Sequence, residues 1–192
     1  MRRLLWIVIA LLLQTLHGAA WAHKPSDSYL TLRANEGSSN IAVRWDIALR
    51  DLDYVLQLDR DSNGEINWGE VRQRSEDITR LATSRLELRS AGQPCSWATA
   101  APLMLDHHSD GTYAVLSLTA RCGSLSPDSG GLKARYSLLF DVDPSHRGLV
   151  QWIGPGTENA QALVFGTESA EQSMALQPTG VCAGRDEEQS AD

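Results

Sequence analysis

Past residue 22 the sequence has no run of 18 apolar residues, so that part is not expected to cross a bilayer as a helix. It also lacks a nucleophile elbow, a zinc-spacing motif and a phosphate-binding loop, so no common enzyme signature argues for catalysis. Basic residues are few: 17 Lys and Arg stand against 24 Asp and Glu, a formal net charge of -7, which makes nucleic acid an unsuitable partner. No internal repeat is visible. There are three cysteines. Cys95 and Cys122 fall in β segments and are expected to bridge neighbouring strands in an oxidising compartment, which leaves Cys182 odd.

The beginning of the chain reads as an export signal rather than as structure. Arg2 and Arg3 precede an apolar run from Leu4 to Leu13, and Ala20-Trp21-Ala22 offers a small-x-small cleavage pattern, so residues 1–22 are expected to be removed. Cleavage takes two arginines from the 17 basic residues, leaving 15 against 24 acids and a mature charge near -9. The expected location is periplasmic or extracellular. His23 becomes the new N-terminus, where amine and imidazole together suit copper or nickel.

The body of the chain, residues 23–175, is predicted to be mainly β. Ile41, Val43, Trp45, Ile47 and Leu49 alternate with polar residues at the period of a half-buried strand. Similar alternation marks residues 29–33, 85–90, 114–122 and 134–142, with shorter strands at 149–153 and 162–165. Asp106-His107-His108-Ser109-Asp110-Gly111 reads as a hairpin turn, and residues 123–131 as another turn region. An antiparallel sandwich-like domain is the expected architecture. Residues 176–192 are polar, carry Glu187 and Glu188, and read as a disordered tail.

One helical unit interrupts the strands, at about residues 51–83. Asp51 is placed to cap a short helix bearing Leu52, Val55 and Leu56; Val71, Ile78, Leu81 and Ala82 give a second helix its apolar face. Between them runs Asp59-Arg60-Asp61-Ser62-Asn63-Gly64-Glu65-Ile66-Asn67-Trp68-Gly69-Glu70, which matches the twelve-residue EF-hand calcium loop. Calcium takes six to eight oxygens, and this spacing supplies them from one short segment. The expected donors are the side chains of Asp59, Asp61 and Asn63, the main-chain carbonyl of Glu65, Asn67 through a water, and Glu70 as a bidentate closure. Gly64 provides the sharp turn and Ile66 an apolar anchor. No second loop of this kind occurs.

Together with the signal, His23-Lys24-Pro25-Ser26-Asp27-Ser28-Tyr29-Leu30, the run from Arg44 to Asp53 and the acidic loop leading into Trp68-Gly69-Glu70-Val71 resemble the extracytoplasmic N-terminal region of the HupE/UreJ family. The likeness covers roughly residues 23–175. It implies a continuation into membrane helices and a link with nickel uptake beside hydrogenases and ureases. The sequence departs from the pattern near Pro178, where the first membrane helix is expected, so what the resemblance implies for this chain is an exported domain that supports or contacts a membrane protein.

Two functions follow. The first is a calcium-stabilised, non-catalytic exported domain using oxygen ligands. The second is a periplasmic copper or nickel module using His23 with His107, His108 or His146. They differ in donor chemistry, oxygen for calcium and nitrogen for the transition metals.

Overall fold

Alternation along residues 28–34 and 41–47 builds the centre of the molecule. In the computed structural model, which describes residues 26–125 and 131–176, strand β1 (Asp27–Ala34) pairs with β2 (Asn40–Ala48) so that Leu30 faces Trp45 and Leu32 faces Val43. The signal segment, His23, residues 177–192 with Cys182, and the middle of the 123–131 turn lie outside the described residues. Leu176, assigned to the tail by its position, is buried against the core.

After β2 come three helices, α1 (Leu49–Leu56), α2 (Trp68–Gln73) and α3 (Ser75–Arg85). They are followed by β3 (Leu86–Ser90), β4 (Gln93–Pro94), β5 (Ser96–His108), β6 (Gly111–Arg121), β7 (Leu132–Tyr136), β8 (Arg147–Ile153), β9 (Ala160–Phe165) and β10 (Glu171–Met174). The strands form a six-stranded sheet ordered β5-β6-β2-β1-β8-β9 and a four-stranded sheet ordered β10-β7-β3-β4. One core joins their inner faces: Trp45 on the larger sheet and Tyr136 on the smaller approach to 5.8 Å between ring centroids. The fold is mainly β with two antiparallel-rich sheets, and the helices sit in the connection that carries the chain from one sheet to the other. Among the described residues no helix is long and apolar enough to cross a membrane.

Five features depart from the sequence reading. Strands β1 and β8 are parallel, because the chain crosses to the smaller sheet and returns before β8 is laid down. The strand expected over 134–142 ends at Tyr136; consecutive burial of Leu138 and Leu139 breaks the alternation, and Leu139 turns the chain at φ 62°. The second helix is split at Arg74, whose ψ of 11° leaves the α region. Asp51 is not a cap: Ala48 holds that position without a side-chain bond, and Asp51 lies in the first turn. Strand β5 was expected only as a β segment at Cys95, which lies just before it, since register shifts between Thr99 and Met104, around Pro102, erase its period of two.

The expected bridge is formed. Cys95 and Cys122 are disulfide-bonded. The N–H of Cys95 bonds the carbonyl of Leu88 on β3, and that of Cys122 bonds the carbonyl of Ser39 before β2, so the disulfide ties the two sheets at one end. It closes a loop with a sequence separation of 27, worth about 3.5 kcal/mol in the chain-entropy view. The Cys95→Ser, Cys122→Ser double variant is expected to lose about that much stability in urea titration.

Candidate metal centre

Helix α1 is only eight residues long and is held by Leu49 and Leu52 in the core. It stops at Gln57, whose left-handed backbone directs its N–H to the Asp53 carbonyl at 2.7 Å, and the side chain of Asp53 receives the N–H of Asp59 at 2.9 Å. The loop therefore starts from a fixed point. Gly64 adopts φ 83°, and its N–H reaches Asp59 Oδ2 at 2.9 Å. The N–H of Asn63 is shared between Asp59 and Asp61, 3.2 Å from each. These donors, Gly64 foremost, hold the Asp59 carboxyl below its ordinary range.

Asn67 starts α2 through a reciprocal capping box. Its Oδ1 accepts the Glu70 N–H at 3.2 Å while Glu70 Oε2 accepts the Asn67 N–H at 3.0 Å. Glu70 Oε1 takes the Arg60 N–H at 2.9 Å, and Glu70 is only 7% exposed. A carboxylate nearly out of water is thus fixed by main-chain donors from both ends of the loop.

Three of the six expected ligands converge: Asp59, Asp61 and Glu70 each offer a carboxylate oxygen within 4.8 Å of the others. Asn63 points elsewhere, with Oδ1 accepting the Glu65 N–H at 2.7 Å and Nδ2 donating to Asp61 at 3.0 Å. Glu65 is exposed. Asn67 has a task beyond the one expected of it, since its Nδ2 also donates to Glu70 Oε2 at 2.7 Å. Ile66 is partly buried against the core and lines a small cavity with Asp110, Gly111, Thr112 and Tyr113 of the β5–β6 hairpin.

A second group, Asp46, Asp106 and His108, also falls within 4.8 Å. Its electrostatics differ. Arg44 donates to Asp46 at 2.8 Å and to Asp106 at 2.6 Å, and His108 Nε2 lies 3.1 Å from Asp46. The protein's own guanidinium occupies the place a cation would take. Among the described residues no ion pair reaches Asp59, Asp61 or Glu70.

Among the described residues the histidines do not assemble a nitrogen site. His107 contacts Thr112, and His108 is sandwiched between Asp46 and the ring of Tyr113, 4.1 Å away. His146 is fully buried in a hydrogen-bonded chain that periodicity and motif did not reveal. The chain runs Trp45 Nε1 to Ser28 Oγ (3.2 Å), Ser28 to Tyr136 OH (2.8 Å), Tyr136 to His146 Nε2 (2.6 Å), His146 Nδ1 to Ser26 Oγ (2.6 Å) and Ser26 to Asp51 Oδ2 (2.7 Å). Its ends set its direction: the indole only donates, and a carboxylate only accepts. Ser26 gives its one proton to Asp51, so His146 must carry its proton on Nδ1 and accept from Tyr136 on Nε2. Room for the Tyr136 ring is made by Gly148, where a Cβ would come within 2.9 Å of it. The sequence signal was a pair of serines at alternate positions, Ser26 just before β1 and Ser28 on its inward face.

A scan against protein-family models gave no match to the chain, and a search of curated proteins gave none either.

Burial pushes His146 down to about 4, the nearby Asp51 and Asp143 carboxylates opposing it. The unfolded histidine titrates near 6.5, so between those values the unfolded state binds more protons and acid favours unfolding. The contribution is complete above pH 6.5, declines as pH falls, and is lost below about 4; it amounts to about 3 kcal/mol. Urea unfolding between pH 7 and 4 is expected to show this slope, and His146→Gln is expected to flatten it.

Proposed function

We propose that this protein is a calcium-binding, non-catalytic exported domain whose single EF-hand-type loop staples the helical connection to the β framework. The observation that carries the reading is the convergence of Asp59, Asp61 and Glu70 within 4.8 Å in a loop turned by Gly64. Positions 1, 3 and 12 of the loop supply these oxygens, the positions from which a calcium loop takes its carboxylates. Three carboxylates so close repel one another, and a hard divalent cation relieves that repulsion while joining α1 to α2. On binding, the Asn63 oxygen turns from the Glu65 N–H toward the ion and joins the Glu65 carbonyl to complete the oxygen set, with Asn67 acting through water and Glu70 closing the site. Glu70 Oε1 keeps a lone pair beyond the one used by the Arg60 N–H, whereas Oε2 accepts from both nitrogens of Asn67, so bidentate closure displaces the Asn67 Nδ2 bond and leaves the main-chain bonds of the cap in place.

Export fits the Cys95–Cys122 disulfide, since such bonds persist in oxidising compartments. The resemblance to HupE/UreJ extracytoplasmic regions makes a membrane protein the natural partner. The nitrogen-based copper or nickel reading gains no support from His107, His108 and His146, which are engaged separately.

Affinity is expected to be modest, with a Kd of about 10⁻⁴ to 10⁻³ M as in extracellular modules. At calcium about 100 times Kd the domain gains about 2.7 kcal/mol, read as a higher Tm than in chelator. Trp68, 44% exposed at loop position ten, supplies a fluorescence signal. Glu70→Gln is expected to abolish binding in isothermal titration. Asn67→Ala is expected to weaken it several-fold, because the cap that orients Glu70 is lost. An unchanged Tm with no heat of binding rejects the reading.

A further inference from the structure

Helix α1 connects two things that the sequence keeps far apart. At its first turn Asp51 terminates the buried chain through Ser26, at 2.7 Å; two residues on, Asp53 holds the N–H of Asp59, the first loop ligand, at 2.9 Å. Asp51 has little access to solvent, its side chain being 12% exposed, and its other oxygen accepts from Arg50 Nε at 3.2 Å. Ser26 is itself pinned, since its carbonyl accepts the Arg147 N–H at 3.0 Å and its hydroxyl accepts from His146. An eight-residue helix has little stability of its own, so its position is set by whatever grips it. Leu49 and Leu52 fix its depth in the core. Apolar contacts are non-directional, however, and leave rotation and sliding to the directional bonds.

We infer that Ser26, with the His146 and Tyr136 behind it, is a positioning residue for the calcium loop: the Ser26–Asp51 bond sets the rotation of α1 and thereby the placement of Asp59 relative to Glu70. This rests on the calcium reading. The two ends of the loop are anchored differently, which is why the bond matters. Glu70 is locked locally by the capping box and the Arg60 N–H, whereas Asp59 is located through Asp53 and α1. Loosening α1 moves one ligand against the other without unfolding either. By reciprocity, calcium steadies the Ser26–Asp51 contact and the buried chain behind it.

The test is calcium affinity, measured by titration calorimetry and Trp68 fluorescence on the secreted protein, for wild type, Ser26→Ala, Ser26→Thr and Leu163→Ala. Leu163, buried in β9, is a destabilising control on the far side of the larger sheet from the helices in strand order. Ser26→Ala is expected to weaken calcium binding by about three- to ten-fold. Ser26→Thr, which keeps the hydroxyl, is expected to restore it, and Leu163→Ala to leave it at the wild-type value. If Ser26→Ala does not fold by circular dichroism, Asp51→Ala at the outer end of the chain gives the same reading. Equal affinity in wild type and the alanine variants overturns the inference while leaving the calcium site intact. Equal weakening in Leu163→Ala also overturns it, since general loss of stability then accounts for the effect. Absence of any calcium response in wild type rejects the site and the inference together.

Discussion

The hydrogen-bonded chain from Trp45 to Asp51 is the constraint on which the rest of the structure depends. It starts on β2, passes through Ser28 of β1, crosses to Tyr136 of β7, returns through His146 and Ser26 beside β1, and ends on α1. Both sheets and the helical connection therefore share one polar interior. Such an arrangement is costly unless complete, because each unmatched buried group loses its hydration without return. Here it is complete: among the described residues no buried side-chain nitrogen or oxygen lacks a partner. A shift of either sheet by one residue would leave several groups unpaired at once, so the chain selects one packing from many that burial of leucine and valine alone would allow.

The acidic loop is also braced by the β framework. The β5–β6 hairpin faces Ile66 across a small cavity, so an element of the β framework stands where a neighbouring loop could otherwise brace it. The capping box fixes the exit helix, and the break at Arg74 lets α2 follow the loop while α3 follows the sheet, with Ile78 and Ala82 buried. Arg74 also joins Asp77, which pairs in turn with Arg80, so one carboxylate links the break to the middle of α3.

The two acidic clusters show how similar compositions diverge by context. At Asp46 and Asp106 an arginine two residues from Asp46 lies on the same face of the sheet and satisfies both carboxylates. At Asp59, Asp61 and Glu70 the donors are neutral amides of the main chain and of Asn63 and Asn67, which orient the oxygens but leave the charge uncompensated. That difference separates an internally neutralised cluster from one whose charge is left open, and only the second was marked by a sequence motif.

Strand periodicity was legible wherever one face of a strand meets the core, as along β2 and β6, because side chains alternate with a period of two whatever the partner. The convergence of Asp59, Asp61 and Glu70 was legible too, since all three lie within twelve residues and local spacing largely dictates their placement. The disulfide could be expected from two cysteines in β segments of a chain whose start reads as an export signal. The irregular β5, the early end of β7 and the parallel β1–β8 pair were not legible, for they depend on bulges, a left-handed leucine and the order in which two sheets exchange the chain. Nor could His146 be distinguished from the other histidines by its neighbours in sequence. Its role arises from Ser26, 120 residues away, and from Tyr136 on the opposite sheet. The sequence by itself determined the alternating strands and the acidic loop, because both are written in short-range spacing; the tertiary structure alone decided the buried polar chain, because hydrogen bonds between distant residues exist only once the core has brought them within reach.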